Sequence, residues 1–412
     1  MTDEHERLRF ETDVPGIWGY WPATPTLWSY SSLKEMEACP RRWMLSRADY
    51  PDIWARRGYP SLPVTPAIFG NVVHGVIERL TRALTTAGVR SPAAGDVVGV
   101  LGSLGGWRGI VLDAVERELA RFDDNPRVST ERVERVRSEL VRRAPEAADQ
   151  VKAFLGRGIL PTGAASEPSG EGAATEAPRR RMPAGPGVHA ERTVTAEALR
   201  VTGTIDQLVL DDTGVTVTDF KTGSEDDAHD EQVRLYALLW QLDKQTNPGG
   251  QPVTHLRVVY PSHERSVAVP DAAQMHALEV ATAARVAGAD QLTAAPPPPA
   301  APSEETCHYC RVKHLCDAYW AAIPPSVSAA SPAQWFDFEG TVLRPNGSRS
   351  WFVATPTDPA AEVLVRTVET DVPFPIGQRV RLLGVRRSQD PDKPGRLVIS
   401  MVATSEWYPV VV

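Results

Sequence analysis

The chain has 412 residues, with 44 basic against 52 acidic side chains, a net charge of -8 and four cysteines. This exceeds the length of an ordinary domain, so two or three domains with cores of their own are expected. The acidic balance excludes a protein that coats nucleic acid indiscriminately, which would carry a basic excess to neutralise phosphates, but it leaves room for a local basic groove.

The start, MTDEHERLRF, places acids where a secretory leader needs a basic segment and an apolar core. No apolar run approaches the roughly 20 residues that span a bilayer, so a cytoplasmic protein without a membrane segment is expected. Over residues 1–160 the runs SSLKEMEACPRRWML, AIFGNVVHGVIERLTRALTTAG, WRGIVLDAVERELARF and VERVRSELVRRAPEAADQVKAFL space their apolar residues by three and four, predicting a helical block. Residues 161–187, PTGAASEPSGEGAATEAPRRRMPAGPG, lose that periodicity to proline, glycine and alanine and are expected to be a disordered insertion.

From residue 188 the pattern alternates. HAERTVTAE, LRVTGTIDQLVLDD and GVTVTDFKTG are predicted strands, with a hairpin turn at Asp211 to Gly214. The predicted helix DEQVRLYALLWQLDKQ follows, then strands at HLRVVYP and RSVAVP, then the helix DAAQMHALEVATAARVAGA. That order predicts an α/β core with one mixed sheet over 188–293. A polyproline-like opening, AAPPPPAAPSEET, begins a cysteine-rich segment at 294–320, and 321–333 is expected to be a linker.

Five strand-like runs with glycine-bearing turns fill 334–412, predicting a small β-barrel, for which the five-stranded OB-fold is the candidate. Such barrels hold oligonucleotides on their loops and one sheet face. Alternation puts Phe336 and Phe338 together in its core, Trp351 or Phe352 is a candidate for base stacking, and the loop RRSQDPDKPGR offers Arg386, Arg387, Lys393 and Arg396 to phosphates.

The chemistry centres on VTDFKTG. Asp206, in GTIDQ, precedes Asp219 by thirteen residues, a separation that two hairpin strands close. Two carboxylates on neighbouring strands can share a hard divalent cation, and Lys221 lies on the same strand face as Asp219. Phe220 between them points to the core and can offer its backbone carbonyl to the ion. Such a site suits phosphodiester hydrolysis, because a cation lowers the pKa of bound water and an ammonium offsets charge at phosphorus. Cys307, Cys310 and Cys316 form C-x2-C-x5-C, while Cys39 stands alone. Thiolates at this spacing suit zinc or an iron-sulfur cluster, and disulfides are not expected in a cytosolic chain.

Several further segments occur together in a fixed order: SYSSLKEMEACPRRW around Cys39, FGNVVH with Gly70 and His74, GTIDQLV, VTDFKTG, QVRLY with Gln232 and Tyr236, and the cysteine trio. In these the chain resembles the PD-(D/E)XK nuclease superfamily, specifically its RecB-like branch with an iron-sulfur cluster, which includes AddB-type nuclease domains and CRISPR adaptation nucleases. The resemblance spans residues 29–320. It implies a restriction-endonuclease-like mixed sheet core, Mg2+ or Mn2+ held by His74, Asp206, Asp219 and the Phe220 carbonyl, catalysis by Asp206, Asp219 and Lys221, and DNA contacts from Gln232 and Tyr236. It also implies a 4Fe-4S cluster on Cys39, Cys307, Cys310 and Cys316 that staples distant parts of the chain. The position before the lysine holds Asp219 where many relatives carry glutamate, and both residues ligate hard cations. Glu191, in HAERTV, falls near the site but is not expected to be a ligand, and His308 and His314 are read as residues flanking the cysteines.

The implied activity is a metal-dependent DNase, an exonuclease on single-stranded DNA or DNA ends, in repair or antiviral defence. No G-x4-G-K-[ST] motif is present, so unwinding would need a separate helicase or defence-complex subunit. The alternative is a non-catalytic DNA-binding scaffold on a decayed nuclease fold. A decayed site would lose an acid or the lysine, and none is lost.

Overall fold

The computed structural model describes residues 8–89, 96–157, 182–322, 327, 330–331, 334–356, 361–368, 374–390 and 392–411. Most of the expected insertion at 161–187 and part of the expected linker at 321–333 lie outside the described residues. The chain divides into two compact units: Met1–Thr24, Glu35–Ser61 and Gln291–Val412 form the first, Pro25–Lys34 and Leu62–Asp290 the second.

The antiparallel pair β1 (Arg9–Glu11) and β2 (Trp18–Tyr20) opens the chain, and β3 (Trp28–Ser29) follows. The run expected as one helix from Ser31 is two, α1 (Tyr30–Ala38) and α2 (Pro40–Arg47). Cys39 is extended between them, at φ -165°. The cause is Pro40, which disfavours helical backbone in the residue before it and starts the second helix itself.

In the second unit α3 (Thr65–Thr86), α4 (Asp96–Ser103), α5 (Gly106–Leu119), α6 (Thr130–Arg142) and α7 (Ala144–Arg157) form the expected helical block. Ile68, Phe69, Val72, Val73, Val76, Ile77, Leu80 and Leu84 recur at helical spacing and are all buried on one stripe of α3. They share a core with Ile110, Val111, Val115, Val151 and Phe154. Phe220 and Val259 enter the same core from the sheet.

That sheet comprises β4 (Gly187–Ala196), β5 (Val201–Asp211), β6 (Gly214–Phe220), β7 (His255–Val259) and β8 (Glu264–Val267), with order β3-β5-β6-β7-β8 and β4 also paired to β5. Asp211 pairs with Gly214 across the expected tight turn. The sheet is mixed: β6 and β7 run parallel and are joined through α8 (Ala228–Leu242), whereas β4, β5 and β6 are successive antiparallel neighbours. Asp230 and Glu231 sit in the first turn of α8, where carboxylates complement the helix dipole. The helix α9 (Ala272–Ala294) leads out of this unit.

The remainder of the first unit contains α10 (Glu304–His308), α11 (Asp317–Ala322) and six strands: β9 (Trp335–Pro345), β10 (Ser350–Ala354), β11 (Glu362–Arg366), β12 (Arg379–Ser388), β13 (Val398–Ser400) and β14 (Glu406–Val410). β9, β10, β11, β13 and β12 close on themselves as a five-stranded barrel, with β11 and β13 parallel and β14 added along β12. Phe336, Phe338, Trp351, Val353, Val363, Val365, Leu382 and Ile399 fill its interior. The alternate residues of β9, Asp337 and Glu339, are buried too, against polar partners. Tyr319 donates to Asp337 at 2.6 Å and Lys313 pairs with it at 2.7 Å. Arg381 donates to Glu339, to Asp13 and to the His314 carbonyl. Among the described residues no single helix is long and apolar enough to cross a membrane.

Candidate active site

The β5–β6 hairpin carries the first half of the site. Gln207 pairs with Thr218, so the continued register sets Asp206 opposite Asp219. The Phe220 amide donates to Asp206 Oδ2 at 2.6 Å, which fixes that carboxylate at the end of the ladder. Alternation then sorts the strand end. Phe220 is 1 % exposed and packs on Phe154, ring centroids 5.2 Å apart, while Asp219 and Lys221 turn the other way. Lys221 Nζ lies 2.8 Å from Asp219 Oδ2 and donates to Gln232 Oε1 at 2.9 Å. Gln232 donates in turn to the Tyr236 hydroxyl at 2.7 Å, one turn further along α8.

Helix α3 supplies His74, whose Nδ1 is 3.6 Å from Asp206 Oδ2. Two glycines permit the close approaches. A Cβ on Gly70 would lie 3.1 Å from Thr222 Oγ1, just beyond Lys221, and one on Gly203 would lie 2.7 Å from the Tyr236 ring. These contacts give a steric reason for Gly70 in FGNVVH and for Gly203 in GTIDQ. All six expected residues, His74, Asp206, Asp219, Lys221, Gln232 and Tyr236, thus meet around one strand end. The Phe220 carbonyl sits at that same end.

The electrostatics are those of a crowded acidic centre. Burial, then the charge of Asp206, pushes Asp219 up to about 7, and Lys221 only partly opposes this. Burial likewise raises Asp206 against the pull of the Phe220 amide. Burial, then Asp206 and Glu78, raises Glu191. Burial lowers His74, favouring the neutral imidazole that can ligate a metal. Buried carboxylates held near one another against their own repulsion fit a divalent cation, which would replace protons as their neutralising charge. His74, Glu191 and Asp206 each bring a ligand atom within 4.8 Å of the other two. Glu191 is the residue that the sequence reading set aside. The sequence placed it near the site, but its position directly across from Asp206 depends on the β4–β5 register.

The four cysteines line one pocket with Arg41, Arg42, Lys313 and Tyr319. None is in a disulfide, and Cys39, Cys307 and Cys316 are buried. Burial pushes the Cys310 thiol up to about 12 and raises Cys316, with Arg42 and Arg41 respectively acting against it. Thiolates in such a place need a cation, and four converging sulfurs are a donor set for a thiophilic metal or cluster. Arg41 and Arg42 also tie α2 to this segment through the carbonyls of Pro298 and Thr306. The His314 imidazole is engaged by the Tyr59 hydroxyl at 2.8 Å and stacks on Tyr408, and the His308 ring lies edge-on to Tyr309.

On the barrel, Trp351 is part of the interior and is removed as a stacking candidate. Phe352 faces outward between the guanidinium groups of Arg344 and Arg396. Arg396 also donates to Asp390, Arg387 donates to the Ala330 carbonyl, Arg386 lies 3.6 Å over the exposed Trp335 ring, and Lys393 is exposed.

A mixed sheet with helices packed on it bears paired carboxylates, a histidine and a lysine at one strand end, an arrangement suited to metal-assisted phosphodiester hydrolysis. The family model of the PD-(D/E)XK nuclease superfamily matches residues 27–317, and the chain belongs to that superfamily, whose members use divalent metals. No curated protein sequence matches it. Among solved structures, one described as the crystal structure of SSO0001 is similar at 19% identity and a TM-score of 0.20, covering 32% of this chain and 61% of that one. A p204 HINb domain is similar at 11% identity and a TM-score of 0.19, covering 54% of this chain and 97% of that one.

Proposed function

We propose that the protein is a divalent-cation-dependent deoxyribonuclease, an exonuclease acting on single-stranded DNA or DNA ends. The observation that carries this reading is the meeting of Asp219 and Lys221 at the end of β6 with Asp206 of β5, and His74 beside them. A cation held by His74, Asp206, Asp219 and the Phe220 carbonyl would supply a Lewis acid and a water of lowered pKa. Lys221 orients the attacking water and offsets charge at phosphorus, and Asp219, 2.8 Å away, holds the ammonium in place. Gln232 and Tyr236 present a hydrogen-bonding edge to the strand being cut. A 4Fe-4S cluster on the four cysteines is assigned a structural role, binding α2 to the segment that precedes the barrel. The barrel is taken as an OB-type module gripping single-stranded DNA through Arg386, Arg387, Lys393 and Arg396, for which its five-stranded closure is the support. Unwinding is left to a separate helicase or defence-complex subunit, in repair or antiviral defence.

The test is incubation of anaerobically purified protein with Mg2+ or Mn2+ on end-labelled linear single-stranded, linear duplex and closed circular DNA, with Lys221→Ala in parallel. Lysine-dependent degradation that spares circles is expected. Intact substrates with both proteins would favour the scaffold reading.

A further inference from the structure

We infer that Glu191 is a ligand of the divalent cation, completing a three-residue capture site with His74 and Asp206. The inference rests on the proposed cation-dependent nuclease and adds a residue that none of its motifs contains. The pairs Ala190 with Gln207 and Arg192 with Ile205 flank Glu191 in unbroken register, which sets it directly across from Asp206. At that one position the ladder lapses, because Glu191 has φ +50°, in the left-handed region that glycine and asparagine favour. Only three non-glycine residues among those described have positive φ, and the other two, Asp124 and Arg200, lie outside regular strands. A glutamate held so in mid-strand is unfavourable for the chain itself. The conformation leaves its carboxylate within 4.8 Å of ligand atoms on His74 and Asp206.

Charge points the same way. Glu191, Asp206 and Asp219 against Lys221 leave a surplus of two negative charges, which one divalent cation cancels. Two carboxylates and a neutral imidazole suit Mg2+ or Mn2+. Asp219 is turned to Lys221 at 2.8 Å, so the cation's first protein contacts are the other three groups. Glu191 therefore works in capture, while Asp219 serves both cation and lysine.

The experiment titrates the metal-free full chain with Mn2+, reading free aqueous Mn2+ by electron paramagnetic resonance, for wild type, Glu191→Gln, Glu191→Gly and Asp206→Asn. Both Glu191 variants should bind Mn2+ at least tenfold more weakly. Glu191→Gly, which suits the left-handed backbone, should melt no lower than wild type without metal. If Glu191 variants bind as wild type does while Asp206→Asn loses the ion, Glu191 is not a ligand and the nuclease reading survives. If Asp206→Asn also binds normally, the cation site itself is misplaced and both readings fall. A lowered melting point for metal-free Glu191→Gly would make the residue structural and overturn the inference.

Discussion

Asp219→Asn should stabilise the metal-free protein at pH 8 and do so less than half as much at pH 5. Asp219 is 1 % exposed, and its carboxyl is raised from 3.8 to about 7, first by burial and then by Asp206. A carboxyl raised on folding contributes stability that is fully present below its unfolded pKa and lost as pH rises through its folded one. At pH 5 the native acid keeps its proton as asparagine would, but the unfolded carboxyl is already ionised, so about one pH unit of the difference is lost. At pH 8 the native acid is ionised, and a rise of about three pH units at about 1.4 kcal/mol each sets an upper limit of about 4 kcal/mol on the cost. Losing the contact with Lys221 offsets part of this, though that ammonium keeps its bond to Gln232. A gain of about 2 kcal/mol then corresponds to roughly 4–8 °C in melting temperature for a unit of this size. Thermal unfolding followed by circular dichroism in EDTA, at pH 5 and pH 8, measures it. With saturating Mn2+ the order should invert, because only wild type has its full ligand charge. A variant that melts below wild type at pH 8 in EDTA would refute the account of the site as a set of carboxylates held in mutual repulsion.

Lys221→Ala should lower cleavage by at least about a hundredfold while leaving the circular dichroism spectrum and Mn2+ titration nearly unchanged, as single-turnover assays would show. Gly203→Ala, whose new Cβ would sit 2.7 Å from the Tyr236 ring, should displace Tyr236 and with it Gln232, lowering cleavage about tenfold to a hundredfold with a modest loss of stability. Phe220→Ala should cost about 3–5 kcal/mol in urea unfolding, because the ring is buried against Phe154 in the helical core. Apparent Mn2+ affinity should climb between about pH 6 and pH 8, as Asp219 and Glu191 shed protons that compete with the ion, and calorimetry in two buffers would count them.

The hairpin chemistry was legible in the sequence because its spacing is local: ten intervening strand residues and a two-residue turn dictate that Asp206 meets Asp219. The same locality made Gln232 and Tyr236 an i, i+4 pair. Glu191 was placed near the site but not among the ligands, since its left-handed backbone angle is one that no residue pattern announces for glutamate. The break of α1 from α2 was overridden by helical periodicity although Pro40 marked it. In the barrel five strand-like runs were visible, but the last, LVISMVATSEW, is broken between β13 and β14, and closure through the parallel pair β11 and β13 left no local trace. Alternation with Phe336 and Phe338 turns Asp337 and Glu339 away from the barrel interior, and only their partners Tyr319, Lys313 and Arg381 show why they are covered.

The first unit is assembled from three separated stretches, and its two ends meet: the Val411 amide donates to the Asp13 carbonyl, and Arg381 reaches Asp13 across 368 positions of chain. At ordinary ribosomal speed that interval lasts roughly 20–70 s. Phe10, which stacks on Trp21 and meets Tyr50 edge-on, finds both partners within the first fifty residues, whereas Asp13 waits for Arg381 and the Val411 amide. The second unit is largely in hand once Asp290 has emerged, so the order of birth is inverted: the residues made first are among the last to settle. Loss of β12 and β14 would therefore strip Asp13, at the opposite end of the unit, of its contacts with Arg381 and the Val411 amide.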